Sequence, residues 1–126
     1  MSGGLTFDAG GLIALDRNDR KVIVLLARAA ESGSRLTVPA GALAQAIRDP
    51  GRQARLARLI RQPLTRVAAL DRVDATHVGR LLAASGITDV IDAHVVICAR
   101  RAGQAVLTSD PDDLRRLDPT LPVITL

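Results

Sequence analysis

The segment DVIDAHVVICARRAGQAVLTSD, residues 89–110, decides the fold. It opens on two acids three residues apart, runs through a strongly apolar helical stretch over 89–101, and stops at Gly103. It then resumes as the strand-like Ala105-Val106-Leu107-Thr108 and closes on Asp110. The change from helical spacing to a short apolar run, with glycine between them, is the passage from a buried helix into a buried strand.

The same alternation continues outward in both directions. Leu5-Thr6-Phe7 reads as a first strand ending at Asp8, and Leu12, Ile13 and Leu15 follow on a short helix. Residues 22–30 read as a second helix ended by Ser32-Gly33, and Leu36-Thr37-Val38 as a second strand stopped by Pro39. Proline is tolerated in a first helical turn, so a helix is expected over 39–48. Asp49-Pro50-Gly51 marks a turn before a helix over 52–61, with Leu56, Leu59 and Ile60 on one face. A third strand is expected over 65–70, a helix over 73–84 with Gly86 past its end, and a short helix over 111–117. Val123-Ile124-Thr125 supplies a last strand. Strands alternating with helices predict an α/β protein: a three-layer α/β/α arrangement around a parallel sheet of about five strands. No linker or repeat interrupts the pattern, so residues 1–126 are expected to form one domain.

Composition narrows the function classes. The chain has 126 residues, of which 48% are hydrophobic, enough for a core. Phe7 is the only aromatic residue, so a single-strand binder built on stacking platforms is disfavoured. No apolar run reaches the length of a membrane span, and the uncharged Met1-Ser2-Gly3-Gly4 does not resemble a signal peptide. The single Cys98 sits in an apolar run and reads as core, and one cysteine suits a reducing, cytoplasmic setting. The net charge of +4, carried almost wholly by arginine, favours a polyanionic or acidic partner, although base composition alone produces such a bias. There is no glycine-rich dinucleotide fingerprint or phosphate loop.

Chemistry concentrates on the acids. Ligands of open parallel sheets sit outside the carboxyl ends of the strands. Asp8 and Asp110 directly follow the first and fourth strands, and Asp89 and Asp92 share one face of a helix's first turn. If those two strands are neighbours, four carboxylates meet at one edge, and a hard divalent cation such as Mg²⁺ or Mn²⁺ relieves their repulsion. Singly, each acid has an ordinary role: Asp89 and Asp92 favour a helix N-terminus with Thr88 as cap, and Asp110 caps a helix beginning at Pro111. Asp8 has no evident capping partner downstream. His77 and His94 read as structural.

Leu5-Thr6-Phe7-Asp8 with Leu12-Ile13-Ala14-Leu15, Asp92-Ala93-His94-Val95-Val96, and Val106-Leu107-Thr108-Ser109-Asp110 with Asp112-Asp113-Leu114 resemble, in that order, the motifs of PIN-domain ribonucleases. The likeness is to toxins of the VapC type. It implies a PIN-like fold, an endoribonuclease using Mg²⁺ or Mn²⁺ on RNA, catalytic Asp8, Asp92 and Asp110, and metal ligands Asp8, Asp89, Asp92 and Asp110. It further implies a homodimer and a cognate VapB-type antitoxin. One position departs from the pattern: Gln45 stands where the family carries a glutamate, leaving an amide oxygen as a weak ligand or an anchor for bound water. Arg48, Arg52 and Arg55 lie in the densest basic stretch and are candidates for RNA phosphates, against the alternative of a solvated helix face. The alternative function is a PIN-like module that binds RNA or protein without cutting.

Overall fold

The computed structural model describes residues 3–126. Five short strands form one wholly parallel sheet: β1 (Leu5–Phe7), β2 (Leu36–Pro39), β3 (Thr65–Ala68), β4 (Ala105–Thr108) and β5 (Val123–Thr125). Their spatial order is β3-β2-β1-β4-β5. The chain therefore starts in the middle, builds outward through β2 and β3, and returns to the other side of β1. The reversal lies between β1 and β4, where the register pairs Leu5 with Ala105 and Phe7 with Leu107.

Seven α-helices complete the layers: α1 (Ala9–Asp16), α2 (Arg20–Glu31), α3 (Ala40–Ala46), α4 (Ala54–Ile60), α5 (Arg72–Ser85), α6 (Val90–Ala102) and α7 (Pro111–Leu117). On one face α1 packs on β1 and β4 with α2 and α4 beside it, and on the other α6 packs on β1, β2 and β4 between α5 and α7. The result is the three-layer, PIN-like α/β arrangement. The two faces explain the sequence of β1, whose three residues are all buried. Phe7, Leu12, Val38, Val95, Val96, Val106 and Leu107 form the centre of the core, and Cys98 is buried beside them. Burying a side chain of that size contributes about 1.5–3 kcal/mol, so aliphatic residues suffice without further aromatics.

Several boundaries differ from the sequence reading by a residue or two; the third strand, expected over 65–70, ends at Ala68, and two further differences have an evident physical cause. Pro39 is the last residue of β2 and the cap of α3, rather than a residue of the helix. Its extended ψ of 136° suits both roles. The helix expected over 52–61 begins at Ala54, after a 3-10 turn over Pro50–Arg52. Gln53 causes the break: its Oε1 accepts from the Arg48 and Asp49 N–H groups, and its Nε2 donates to the Ala46 carbonyl at 2.9 Å. Among the described residues no single helix is long and apolar enough to cross a membrane.

Candidate metal centre

The reversal between β1 and β4 leaves a crevice beyond their carboxyl ends, and acids line it. Asp8 follows β1, and its N–H donates to the Leu107 carbonyl of β4 at 3.3 Å. Its Oδ1 accepts from Gly11 N–H at 2.8 Å, so Asp8 does cap α1, contrary to the expectation that it has no capping partner. Glycine makes that turn possible. A Cβ on Gly11 would lie 2.6 Å from the Leu107 carbonyl oxygen, and one on Gly10 would lie 2.2 Å from Ser109 Oγ. Only residues without side chains let the start of α1 press against the end of β4.

Asp110 shows the reverse correction. It occupies the cap position of α7 but makes no side-chain capping bond. Its N–H donates instead to Thr108 Oγ1 at 2.9 Å, and the same buried hydroxyl bonds Asp8. Thr108 thus ties the two strand-end acids together. One turn into α7, Asp113 is hydrogen-bonded to Asp110 and lies 3.0 Å from Arg116 Nη1. Across the crevice Asp89, rather than Thr88, caps α6 by accepting from Asp92 N–H at 3.0 Å. An open cavity of about 240 Å³ lies here, lined by Thr88, Asp89, Asp92, Asp113 and Arg116.

The electrostatics record the convergence. Burial is the largest cause pushing Asp92 from the ordinary 3.8 to about 6, followed by the charges of Asp89, Asp8, Asp113 and Asp110. Burial also raises Asp8, with Asp110 adding to it, against hydrogen bonds from Thr108, Gly11 and Gly10 that favour the charged form. Asp113 is raised by its hydrogen bond to Asp110 and by that residue's charge. Five carboxylates therefore share one edge, where Arg116 forms an ion pair with Asp113. The donors are oxygens without imidazole or thiolate, a set that fits a hard cation such as Mg²⁺ or Mn²⁺.

Not every sequence candidate lies here. Gln45 is exposed on α3 and hydrogen-bonds to none of these acids. Gly41, one helical turn before it, packs against Ile91 in the first turn of α6, so Gln45 follows on the α3 face that meets α6. Arg48 donates to the Ala44 and Ile47 carbonyls, Arg52 pairs with Asp49 at 3.5 Å, and Arg55 reaches the Asp16 carbonyl at 3.5 Å. Asp16 ends the helix that Asp8 begins, so Arg55 lies about 12 Å along α1 from the acids. Asp113 and Thr108 were missed as site residues. The Asp110–Asp113 spacing of three, repeating that of Asp89 and Asp92, is the signal that marks the former.

A second grouping is of another kind. Ligand atoms of Asp74, His94 and Cys98 lie within 4.8 Å of one another, all buried. Asp74 Oδ2 is 2.7 Å from His94 Nε2, and Arg101 holds its other oxygen. Burial alone would raise Asp74, but Arg101 and His94 outweigh it and hold the carboxyl below 3.8. Burial pushes the Cys98 thiol up to about 11. The cation is already supplied by arginine and the thiol stays neutral, so this group is an ion network joining α5 to α6.

No family model matches the chain, and no curated protein matches it. Its fold is similar to that of solved structures. One is VapBC2 from Rickettsia felis bound to a DNA fragment from their promoter, with a TM-score of 0.65 and 11% identity over 98% of each chain. Another is FitAcB from Neisseria gonorrhoeae, with a TM-score of 0.65 and 15% identity over 96% of each chain. These findings correct the expected membership of the VapC-type toxin family to a likeness of fold. The identities are too low to carry family, and both matches are to complexes whose names cover more than one component.

Proposed function

We propose that this protein is a divalent-metal-dependent ribonuclease and the toxic partner of a toxin–antitoxin pair. The observation that carries the reading is the gathering of Asp8, Asp89, Asp92, Asp110 and Asp113 at the reversal point of the sheet, with Asp92 displaced to about 6 by burial and then by the other four. Asp8, Asp92 and Asp110 would hold Mg²⁺ or Mn²⁺, with Asp89 and Asp113 at the rim. The ion, when bound, lowers the pKa of water and offsets the charge of a phosphodiester. Asp89 orients the first turn of α6 through its bond to Asp92 N–H, and Thr108 fixes Asp8 relative to Asp110. The structural neighbours, which are toxin–antitoxin complexes, support the partnership. So do the exposed Leu64, Val67, Leu70 and Val73, apolar side chains of the kind that an antitoxin or a second copy covers.

The test is incubation of the purified, antitoxin-free protein with structured RNA in Mg²⁺, Mn²⁺ or EDTA. Cleavage is expected with either metal, with none in EDTA, and Asp8→Asn, Asp92→Asn and Asp110→Asn should each lose most of it while staying folded. Intact RNA at protein excess in every metal would assign the fold to a non-cleaving binding module instead.

A further inference from the structure

At the sheet's other end the charge reverses. A cavity of about 420 Å³ opens between the β2–β3 side of the sheet and the last turns of α6. Arg35 immediately precedes β2, Thr65 begins β3, Gln104 precedes β4, and Arg101 lies near the end of α6. The cavity thus sits by the amino ends of the strands, while the acids follow their carboxyl ends. Its lining includes three arginines, Arg35, Arg66 and Arg101, and no carboxylate.

The three cations are not equivalent. Arg101 is committed to Asp74 behind the wall. Arg35 and Arg66 pair with no carboxylate among the described residues. Arg66 and Cys98 line the same cavity, which puts Arg66 on the α6 side of the sheet. Thr37 stands opposite Arg66 in the register, so Arg35, Thr37 and Arg66 lie on one face of the sheet. Leu36, Leu64 and Ala102 supply apolar wall. The volume falls in the range of about 300–1,000 Å³ usual for small-ligand clefts, larger than a bare oxyanion needs.

We propose that this cavity binds a small organic phosphomonoester, its phosphate held by Arg35 and Arg66 and its body against Leu64 and Ala102. Guanidinium groups match phosphate oxygens in bidentate pairs, and arginine also stacks on planar bodies. The site is independent of the acid edge, so its test does not depend on RNA cleavage.

The experiment is titration calorimetry of the whole chain with adenosine 5′-monophosphate, inorganic phosphate and adenosine, all in EDTA so that no metal at the acid edge carries the phosphate. The chain has no Trp or Tyr, which rules out an intrinsic-fluorescence readout. The nucleotide is expected to bind more tightly than phosphate, and adenosine not at all. Arg35→Gln combined with Arg66→Gln should weaken binding at least about ten-fold and leave RNA cleavage unchanged. Three results would each overturn the proposal: no nucleotide binding at millimolar concentration, equal binding of adenosine or of inorganic phosphate, or affinity that survives the double arginine change.

Discussion

Replacing Asp92 by Asn should make the metal-free protein more stable at neutral pH. Its carboxyl titrates near 6 in the folded chain against an ordinary 3.8, so the folded state binds its proton more tightly than the unfolded state does. The sign follows from linkage: between about pH 4 and 6 the native chain holds a proton that the unfolded chain has released, and stability falls as pH rises through that window. A displacement of this size corresponds to about 3 kcal/mol. Asp92 is only partly buried, and solvent screening reduces the figure to about 1–2 kcal/mol. For a chain of this length that is a rise of about 4–8 °C in Tm. The assay is thermal unfolding of wild type and Asp92→Asn in EDTA across pH 4 to 8. The two curves should converge near pH 4 and separate by pH 7, with the variant higher. Parallel curves, or a wild type that is the more stable at pH 7, would refute the claim that burial and the neighbouring carboxylates raise Asp92.

Mn²⁺ at about 100 times its Kd should stabilise the wild type by about 2.7 kcal/mol by mass action. Melting curves of Asp8→Asn and Asp110→Asn should show little of that gain, and an equal gain in both would remove these residues from the metal site. Asp74→Ala leaves the buried His94 without its partner, while Arg101 stays partly hydrated, and should destabilise the fold by about 1–3 kcal/mol in urea. Because the Asp74 carboxyl is held below 3.8, its contribution is present above that pH and is lost as pH falls through the depressed value. Gln45→Glu adds a charge on the α3 face that meets α6 and should lower the Mn²⁺ needed for half-maximal cleavage, while slightly lowering Tm in EDTA. An unchanged Mn²⁺ requirement would place Gln45 outside the metal's reach.

The strands were legible because each is a short apolar run set off by glycine, proline or a charge, and both sheet faces are covered. Asp8 and Asp110 could be placed together from order alone, since an acid directly after a strand has one edge to occupy. Their detailed roles were not legible. Asp8 finds its capping partner in Gly11, a residue whose missing Cβ matters only because Leu107 of another strand lies against it. Gln53 interrupts an otherwise periodic helix by bonding to Ala46, Arg48 and Asp49, which periodicity does not weigh. The pairing of Asp74 with His94 spans 20 residues and two helices, and neither residue carries a local sign of it.

Asp74 and Asp92 together separate two uses of a buried acid. Both sit in the first turn of a helix, at the third position after an aspartate that caps it, and both receive the same local pattern of hydrogen bonding. Burial raises the pKa of each as its largest single influence. At Asp74 the fold supplies a guanidinium and an imidazole, and the net displacement is downward. At Asp92 it supplies four more carboxylates, and the net displacement is upward. A chain with 17 basic residues against 13 acids had ample means to pair Asp92 with an arginine. Arg116, which lines the same edge, pairs with Asp113 instead, and other arginines sit by Asp16, behind Asp74 and around the cavity at the opposite end of the strands. An acid left raised in this way is destabilising until a cation from solution reaches it, and that conflict with an otherwise consistent fold is the physical ground for reading the edge as a metal site rather than a set of helix caps.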